Sequence, residues 1–469
     1  MSLNEKYTLD FSKKGKIYFV GIGGISMSGL AEILADAGFS VSGSDRSRSA
    51  ITEGLEAKGI RVIYGQSYEN ITSDIDCVVF TSAIRPDNPE YKAAAELGLH
   101  TLTRAELLGQ IMKNYRIPVA ISGTHGKTTT TSMVSEILMA AEVDPTLSIG
   151  GVLPSIGGNV RVGGPDYFVT EACEYTNSFL SFFPKVAIIT NIEEDHLDFF
   201  KDINDIRNSF RRFAELLPED GTLVIGGDIA DYREITGGLK CRVVTYGIDD
   251  TDVYGNKMDY YPENISYNEK GCASFTAVSG NEKRNVSLQV PGEHNVINAL
   301  GSIAIADVVG IEHAKAAESV HYFRGTDRRF EYKGTFNGIT VIDDYAHHPT
   351  EIAATLKVAS KIEHNRLWVV FQPHTYTRTK AFMGDFARVL SMADKVVLPD
   401  IYAARETDTL GISSETLCDE MKKLGADCYY IPSFEKIEKF LLENCTKGDM
   451  LITMGAGEAY KIGESLLSK

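Results

Sequence analysis

The feature that most constrains the fold is an alternation, along the whole chain, of short apolar runs and helical patterns. The runs are rich in β-branched residues, and most of them end in small or polar residues, as in KIYFVGIGG, DCVVFTSA, IPVAISGT, KVAIITN, LWVVFQP, KVVLPD and DMLITMGAG. Apolar runs separated by helices are typical of parallel strands that are buried on both faces. The sequence therefore predicts an α/β fold of doubly wound domains with mostly parallel sheets.

A strand followed at once by glycines occurs three times, at Val20–Gly24, Ser122–Gly126 and Met454–Gly457. Each occurrence is interpreted as the phosphate-facing end of its own sheet. The length of 469 residues also favours three domains, at roughly 150 residues each. We predict a Rossmann-like N-terminal domain, a P-loop ATPase-like central domain and a Rossmann-like C-terminal domain at residues 1–105, 106–323 and 324–469. The strand-rich stretch 240–292 is predicted to be a β-layer of the central domain.

Composition narrows the function classes. Hydrophobic residues make up 43% and charged residues 24%, which excludes disordered, collagen-like and coiled-coil chains. A net charge of −17 opposes general binding to nucleic acid or to anionic membranes. The seven cysteines show no C-x-x-C or zinc-type spacing. No signal peptide and no uninterrupted apolar stretch of about 20 residues is apparent. We expect a cytoplasmic protein with reduced thiols, no nucleic-acid partner and no membrane insertion.

The first glycine motif is GIGGISMSG at residues 21–29, between a strand and a helical pattern. Its glycines would let the backbone approach a diphosphate at the helix start, and Asp45 ends the next strand, where a dinucleotide fold places its ribose-binding acid. Ser26 replaces the third glycine of G-x-G-x-x-G. A nucleotide or nucleotide-sugar site, a dehydrogenase and a plain βα turn therefore all remain open.

The second glycine motif, GTHGKTTT at residues 123–130, is the strongest local signal. It follows a buried strand and opens an amphipathic helix. Backbone N–H groups can wrap a polyphosphate, Lys127 places a charge on it, and Thr128 can bind Mg²⁺. Ile121 stands where the strict Walker pattern has glycine. The motif predicts binding of a nucleoside triphosphate, because a simple Thr-rich helix start would explain neither the lysine nor the glycines.

Polar residues past other strand ends complete a central-domain set. Glu171 ends one apolar strand and His196 follows another, and with Thr128 they favour a Mg²⁺ site over an exposed acidic face. Asn295 and Asn298 share one face of a helix, which suits an adenine edge, with helix capping by Asn295 as the alternative.

The third segment carries two further polar clusters. Arg328-Arg329-Phe330 precedes the strand-end motif DDYAHHP, and VVFQPHTYTRT delivers His374 and Arg378 just past a buried strand. Each cluster alone is compatible with ordinary surface charge. An arginine beside an aspartate at strand ends, however, favours the clamping of an anion.

Taken in order, G-T-H-G-K-T-T, E-A-C-E, T-N-I-E-x-D-H, H-N-x-x-N, R-R-F, D-D-Y-A-H-H-P and F-Q-P-H-T-Y-T-R-T resemble the Mur ligase family, whose members form amide bonds with ATP in peptidoglycan synthesis. The resemblance runs from about Lys16 to Lys461. It implies ATP and Mg²⁺ as cofactors, and UDP-N-acetylmuramate and L-alanine as substrates that are joined through an acyl phosphate. It also favours a monomer or weak homodimer.

Three alternatives stay open. A ligase of cell-wall recycling would attach a preformed peptide to the same UDP-sugar, an NAD-dependent oxidoreductase would use only the first glycine motif, and a non-catalytic protein would bind the nucleotide without turnover.

The resemblance also assigns residues. For the UDP-sugar it implies Gly21, Gly23, Gly24, Thr81, Ser82 and Arg104. For ATP it implies Gly123, Thr124, His125, Gly126, Lys127, Thr128, Thr129, Asn295, Asn298, Arg329 and Asp344. For the metal it implies Thr128, Glu171 and His196. For the alanine and muramoyl end it implies Tyr345, His347, His374 and Arg378. The expected catalytic residues are Lys127, His196, Arg329, Asp344 and His347, with His196 and His347 as candidate bases.

Overall fold

The computed structural model describes residues 7–81, 83–404 and 406–469. Its first unit is a five-stranded parallel sheet in the order β3-β2-β1-β4-β5. The strands are β1 Lys16–Val20, β2 Ser40–Asp45, β3 Arg61–Tyr64, β4 Cys77–Phe80 and β5 His100–Thr103. The helices are α1 Ile25–Asp36, α2 Ala50–Ala57, α3 Pro89–Glu96 and α4 Arg104–Met112.

The second unit is a ten-stranded sheet in the order β15-β14-β13-β12-β11-β10-β6-β9-β7-β8. Its strands are β6 Ile117–Ser122, β7 Thr146–Leu153, β8 Gly158–Arg161, β9 Tyr167–Glu171, β10 Val186–Ile189, β11 Thr222–Gly226, β12 Arg242–Tyr246, β13 Tyr260–Tyr267, β14 Cys272–Ser279 and β15 Glu282–Pro291. Its helices are α5 Lys127–Ala140, α6 Ile203–Ala214, α7 Tyr232–Thr236, α8 Glu293–Val308 and α9 His313–Ser319. Strands β13 to β15 pair antiparallel and extend the sheet, as predicted for the stretch 240–292.

The third unit is a six-stranded sheet in the order β16-β17-β21-β18-β19-β20, parallel except for β16. The strands are β16 Glu331–Phe336, β17 Ile339–Asp344, β18 Leu367–Phe371, β19 Lys395–Leu398, β20 Cys428–Tyr430 and β21 Met450–Met454. The helices are α10 Pro349–Ala359, α11 Tyr376–Ala381, α12 Met383–Leu390, α13 Ser414–Lys423, α14 Phe434–Asn444 and α15 Tyr460–Leu467. The predicted α/β class with three mostly parallel sheets is confirmed.

One predicted domain limit falls inside a helix, and the other falls between two elements. The limit between 105 and 106 lies inside α4, and the limit between 323 and 324 lies between α9 and β16. Helix α4 packs against the second unit, where a Cβ on Gly109 would lie 1.9 Å from the Ser181 carbonyl oxygen. A hydrophobic core also runs continuously from Leu107 on α4 to Phe168 and Phe179. The first two units therefore share an apolar interface.

The strand order gathers functional segments at two edges. In the second sheet, β10, β6 and β9 are neighbours, so the segments that follow them meet at one carboxyl edge. In the third sheet, β17, β21 and β18 are neighbours in the same way. None of the helices in the described part of the chain is long and apolar enough to cross a membrane.

Candidate active site

The loop between β6 and α5 has a backbone that only glycine adopts without strain. Gly123 has φ 137° and Gly126 has φ 81°. A Cβ on Gly123 would lie 1.9 Å from the Thr190 hydroxyl oxygen. Asn191 holds the loop by accepting from the His125 N–H at 2.8 Å. Helix α5 starts without a side-chain cap, so its first N–H groups are available to a phosphate.

Replacement of Gly123 by alanine is expected to lower the free energy of unfolding by about 2–4 kcal/mol and to abolish ATP binding, because the added Cβ meets Thr190. Thermal unfolding and ATP titration check this. The matched control is Gly54→Ala, in α2, where a Cβ would meet nothing within 4 Å. If Gly123→Ala were as stable as Gly54→Ala, the loop geometry described here would be wrong.

Lys127 lies across this loop and is paired with a carboxylate. Its Nζ donates to Glu174 Oε2 at 3.0 Å and to the Thr124 carbonyl oxygen at 3.0 Å. The side chain of Glu174 is 3% exposed. Burial alone would lower the pKa of the Lys127 ammonium, but the Glu174 carboxylate outweighs it and raises that pKa. The Glu174 carboxylate is therefore the anion that pairs with the Lys127 ammonium in this structure.

The predicted metal ligands fall into two adjoining groups of contacts. Glu171 Oε1 accepts from the Gly150 N–H at 2.6 Å, and Gly151 packs against the Thr128 side chain. His196 Nε2 lies 3.8 Å from Glu174 Oε1, on the other side of the loop lysine. The Thr128 hydroxyl and the Glu171 carboxylate are oxygen ligands of the kind that Mg²⁺ prefers, so these residues fit the ion.

His196 itself lies in a strained and enclosed position. Its backbone has φ 53°, and its ring stacks on Tyr175 with centroids 4.5 Å apart. Burial lowers the pKa of His196 below its ordinary value, although Asp195 and Glu174 oppose the effect. A neutral imidazole in this place can accept a proton.

A cavity of about 200 Å³ lies between the second and third units, next to the loop. Gly126, Thr129, Asn295 and Asn298 line it from the second unit. From the third unit its lining includes Arg329, Asp344, Phe330 and Glu351.

Hydrogen bonds fix the side chains of the two asparagines that line this cavity. Asn295 Nδ2 donates to the Pro291 carbonyl oxygen at 2.7 Å, and Asn298 Nδ2 donates to Asn295 Oδ1 at 3.2 Å. The cap position of α8 is Gly292, so Asn295 does not cap the helix.

Asp344 fixes the segment that carries Arg329. Its carboxylate accepts from the Phe330 N–H at 2.9 Å and from the Ala346 N–H at 2.7 Å. Burial raises the pKa of Asp344 to about 6. Arg329 reaches across the domain junction, with Nη2 3.5 Å from the Thr128 hydroxyl oxygen. The arrangement brings a third-unit cation next to the loop that is predicted to bind phosphate.

The neighbouring Arg328 points to a different place. It donates to Asp343 Oδ2 at 3.0 Å and to the Gly455 carbonyl oxygen at 2.7 Å. Its guanidinium carbon lies 4.9 Å from the centre of the Tyr345 ring. Arg328 therefore fastens the sheet edge, and Tyr345 packs against both arginines.

A second cavity, of about 270 Å³, is lined by His196, Asp195, His374 and Arg378. Arg378 Nη2 donates to Asp195 Oδ1 at 2.7 Å, and the two side chains are 9% and 6% exposed. Burial would raise the pKa of Asp195, but His196 and Arg378 outweigh it and hold that pKa well below its usual range. His374 stacks on Tyr402, with centroids 5.6 Å apart.

His125 joins the loop to the third unit. Its Nδ1 lies 3.1 Å from Glu351 Oε1, and its Nε2 lies 3.2 Å from Glu193 Oε2. The other oxygen of Glu351 accepts from the N–H of His347 at 3.0 Å. Burial would lower the pKa of His125, but its hydrogen bonds to Glu193 and Glu351 raise that pKa to about 9. The loop is thereby tied to the start of α10.

In the first unit, the glycine motif is already bonded internally. The Gly23 N–H donates to Asp45 Oδ2 at 2.8 Å, and the Gly24 N–H donates to the Gly21 carbonyl oxygen at 3.3 Å. Asp45, at the end of β2, therefore faces the glycine turn.

The remaining predicted residues of the first unit lie around the same turn. Thr81 packs against Gly21, and Arg104 Nη1 donates to the Ser26 hydroxyl at 3.1 Å. Ser82 lies outside the described residues. The start of α1, which has no side-chain cap, and Arg104 are the features here that can meet an anion.

Residues 16–116 match the Mur ligase family, catalytic domain, residues 121–306 match the Mur ligase middle domain, and residues 328–457 match the Mur ligase, glutamate ligase domain. The chain belongs to the Mur ligase family. The resemblance predicted from the motifs is confirmed.

Individual Mur ligases cover the chain from end to end. The UDP-N-acetylmuramate--L-alanine ligase of Agathobacter rectalis is 59% identical over 464 residues, which is 99% of this chain and 100% of the relative. A crystal structure of the UDP-N-acetylmuramate-alanine ligase from Thermotoga maritima has a TM-score of 0.79 at 31% identity, covering 97% of this chain and 98% of that one. A murein peptide ligase from Psychrobacter arcticus has a TM-score of 0.71 at 26% identity, covering 97% and 98%.

Sequence reasoning gave no role to several carboxylates of this Mur ligase site. Glu174 stands inside the quoted motif E-A-C-E, three residues after Glu171, and its burial beside Lys127 could not be read from spacing. Glu351 carries a local signal, since it completes a capping box with His348 at the start of α10. Its second role, as the partner of His125, depends on the third unit packing against the loop.

The partly buried His374 makes the stability of this Mur ligase depend on pH. Burial lowers the pKa of His374 to about 4, and its Nδ1 lies 3.2 Å from Arg378 Nη1, which is always a donor. The unfolded chain, with a histidine pKa of about 6.5, therefore binds more protons as the pH falls below that value.

Between about pH 7 and about pH 5.5, the free energy of unfolding should fall by about 1 kcal/mol more in the native protein than in His374→Gln. Urea unfolding at the two pH values checks this, with His364→Gln, in the turn after α10, as control. Equal pH slopes in the native protein and His374→Gln would show that His374 is not held neutral.

Proposed function

We propose that this Mur ligase joins L-alanine to the muramoyl carboxylate of UDP-N-acetylmuramate, with hydrolysis of ATP, in the synthesis of peptidoglycan precursors. The observation that carries the proposal is the Lys127–Glu174 pair, in which Lys127 follows Gly126 of the first cavity and Glu174 lies 3.8 Å from His196 of the second. The cavity with Asn295 suits a nucleotide, and the cavity with Arg378 suits an amino acid. The relatives named for this activity cover the whole chain and agree with it.

The chemistry requires activation because a carboxylate is a poor acyl donor. The muramoyl carboxylate oxygen attacks the γ-phosphorus of ATP, ADP leaves, and an acyl phosphate forms. Lys127 gives up Glu174 and turns to the phosphate, where its charge reduces the repulsion between the two anions. Arg329 approaches the same phosphates from the third unit. Thr128, Glu171 and His196 would hold Mg²⁺, which neutralises phosphate charge when it is bound.

The amine of L-alanine then attacks the acyl carbon, and phosphate leaves from a tetrahedral intermediate. The attacking amine must lose a proton, so a neutral imidazole is required nearby. His196 and His347 both have a pKa lowered by burial, to about 4 in the case of His347. With His196 holding the metal, His347, whose ring centre lies 6.1 Å from that of His374 at the amino-acid cavity, is favoured as the base.

The acceptor is placed by the Arg378 cavity, and the UDP-sugar by the first unit. Arg378 and His374 lie where they can meet the carboxylate of alanine. Arg104 and the start of α1 are the proposed diphosphate contacts, together with Gly21, Gly23, Gly24 and Thr81. A cytoplasmic location and a monomeric or weakly dimeric state remain predictions.

The experiment that tests the function is phosphate release from ATP and Mg²⁺ with UDP-N-acetylmuramate and different acceptors. We expect release that requires both the sugar and L-alanine. Release with a tripeptide but not with L-alanine would assign the recycling reaction instead, which the lower TM-score to the murein peptide ligase disfavours. No release with any acceptor would favour a non-catalytic nucleotide-binding protein. Binding of a nicotinamide cofactor would favour an NAD-dependent oxidoreductase, although that function would give Lys127 no role.

A further inference from the structure

A cluster of two histidines and one glutamate lies at the junction of the second and third units, outside the predicted Mg²⁺ ligands. His125 comes from the phosphate loop, Glu193 from the segment after β10, and His348 from the start of α10. One ligand atom of each lies within 4.8 Å of the others. His125 Nε2 is 3.2 Å from Glu193 Oε2, and His348 Nδ1 is 4.0 Å from the same oxygen.

These distances are close to those of a transition-metal site. Bonds of about 2.0–2.1 Å in a tetrahedral zinc site put neighbouring ligand atoms about 3.3 Å apart. The 3.2 Å distance already meets this spacing, whereas the 4.0 Å distance and the separation of the two histidine nitrogens, which lies within 4.8 Å, need side-chain movement. Imidazole nitrogen and carboxylate oxygen are ordinary ligands of zinc, whereas Mg²⁺ selects oxygen alone.

Outer hydrogen bonds orient the side chains, and the Thr350 N–H donates to His348 Nδ1 at 3.3 Å, a contact that a bound ion would replace. The remote nitrogen of His125 donates to Glu351 Oε1 at 3.1 Å, and the remote nitrogen of His348 donates to the Glu194 carbonyl oxygen at 3.0 Å. The Thr350 hydroxyl donates to Glu193 Oε2 at 2.6 Å. Because a carboxylate and a carbonyl only accept, these contacts protonate the remote nitrogens. This is the arrangement that commonly surrounds metal-bound histidine.

The contact between His125 and Glu193 then requires a cation. With its Nδ1 proton given to Glu351, a neutral His125 would turn a lone pair toward the Glu193 carboxylate at 3.2 Å, which is repulsive. Either a second proton or a metal ion has to lie between them. We propose that a borderline divalent transition metal, with Zn²⁺ as the probe, binds to His125 Nε2, Glu193 and His348 Nδ1 and releases that proton to the solvent.

A metal ion at this position would link the second unit to the third. Two of its ligands belong to the second unit and one to the third, so the bound ion joins the phosphate loop directly to α10. Nucleotide exchange between these units would then require breaking a metal bond. Added Zn²⁺ is therefore expected to slow turnover at saturating Mg²⁺.

The test is titration of the metal-free full chain with Zn²⁺ by calorimetry, with Mg²⁺ present and in two buffers of different ionisation enthalpy. We expect one site whose binding releases about one proton. His348→Gln and Glu193→Gln should each weaken binding by about tenfold or more. His364→Gln, in the turn after α10, and Glu171→Gln should leave it unchanged. Co²⁺ should give the visible absorption of a tetrahedral site in the native protein and lose it in His348→Gln.

The opposite results would overturn the proposal. Zn²⁺ affinity that survives both His348→Gln and Glu193→Gln would place the ion elsewhere. Absence of Zn²⁺ binding would show that His125 is simply an imidazolium between two carboxylates. Thermal unfolding of each variant, compared with the native chain, separates loss of the site from loss of the fold. Phosphate release without added Zn²⁺ is measured in parallel, so a failed ligase assignment is recognised separately.

Discussion

Replacement of Lys127 by alanine is expected to lower the turnover number by about 10³-fold or more, because the ammonium is the cation of the phosphate loop in the transferring step. Binding of UDP-N-acetylmuramate should change little, since the predicted sugar residues lie on the first unit and Lys127 on the second. Steady-state phosphate release and direct titration of the sugar nucleotide measure the two effects separately.

The same substitution has a structural cost that must be separated from the catalytic one. It leaves the Glu174 carboxylate, 3% exposed, without its ammonium, and breaking a buried pair costs about 3–5 kcal/mol. The double variant Lys127→Ala with Glu174→Gln should recover much of this stability but none of the turnover. Lys92→Ala, on the exposed surface of α3, is the matched control. Comparable losses of sugar binding and turnover would contradict the assignment of the two sites to different units.

Replacement of Arg378 by methionine should have the second-largest effect. We expect kcat/KM for L-alanine to fall by about 10²-fold, equivalent to about 2.7 kcal/mol, because the amino-acid cavity loses its buried cation. The affinity for ATP should change by less than about threefold, since Arg378 does not line the nucleotide cavity. Initial rates over a range of alanine concentrations measure the first effect.

The pairing of Arg378 with Asp195 supplies a further check. Arg378→Met leaves the Asp195 carboxylate buried alone, so the double variant with Asp195→Asn should be the more stable of the two. Arg388→Met, whose exposed guanidinium pairs only locally on α12, is the control. Equal losses for all three substrates would show that Arg378 acts through general stability and not through the acceptor site.

The class of fold and the position of the phosphate loop could be predicted because they depend on local patterns. Apolar runs identify buried strands, and a glycine–lysine–threonine sequence after a strand identifies an anion-binding turn whatever lies around it. Gly123, Glu171 and His196 meet at one edge because β10, β6 and β9 are parallel neighbours. The alternation of apolar runs and helical patterns predicts this parallel pairing.

Contacts between residues that are distant in the sequence, whether within a unit or between units, could not be predicted in the same way. The pairs Lys127–Glu174, His125–Glu351 and Arg378–Asp195 join residues that are 47, 226 and 183 positions apart. A carboxylate gives no sequence signal of which distant cation it will face, because that depends on how whole units pack. The bond from the Gly23 N–H to Asp45 likewise joins residues 22 positions apart.

We expect ATP to activate the muramoyl carboxylate as an acyl phosphate before L-alanine attacks. The most direct measurement uses UDP-N-acetylmuramate labelled with ¹⁸O in both carboxylate oxygens, with ATP, Mg²⁺ and L-alanine, and determines the label in both products by mass spectrometry. An acyl-phosphate route leaves one ¹⁸O in each released phosphate and one in the amide product. Unlabelled phosphate, with ATP consumed, would contradict it.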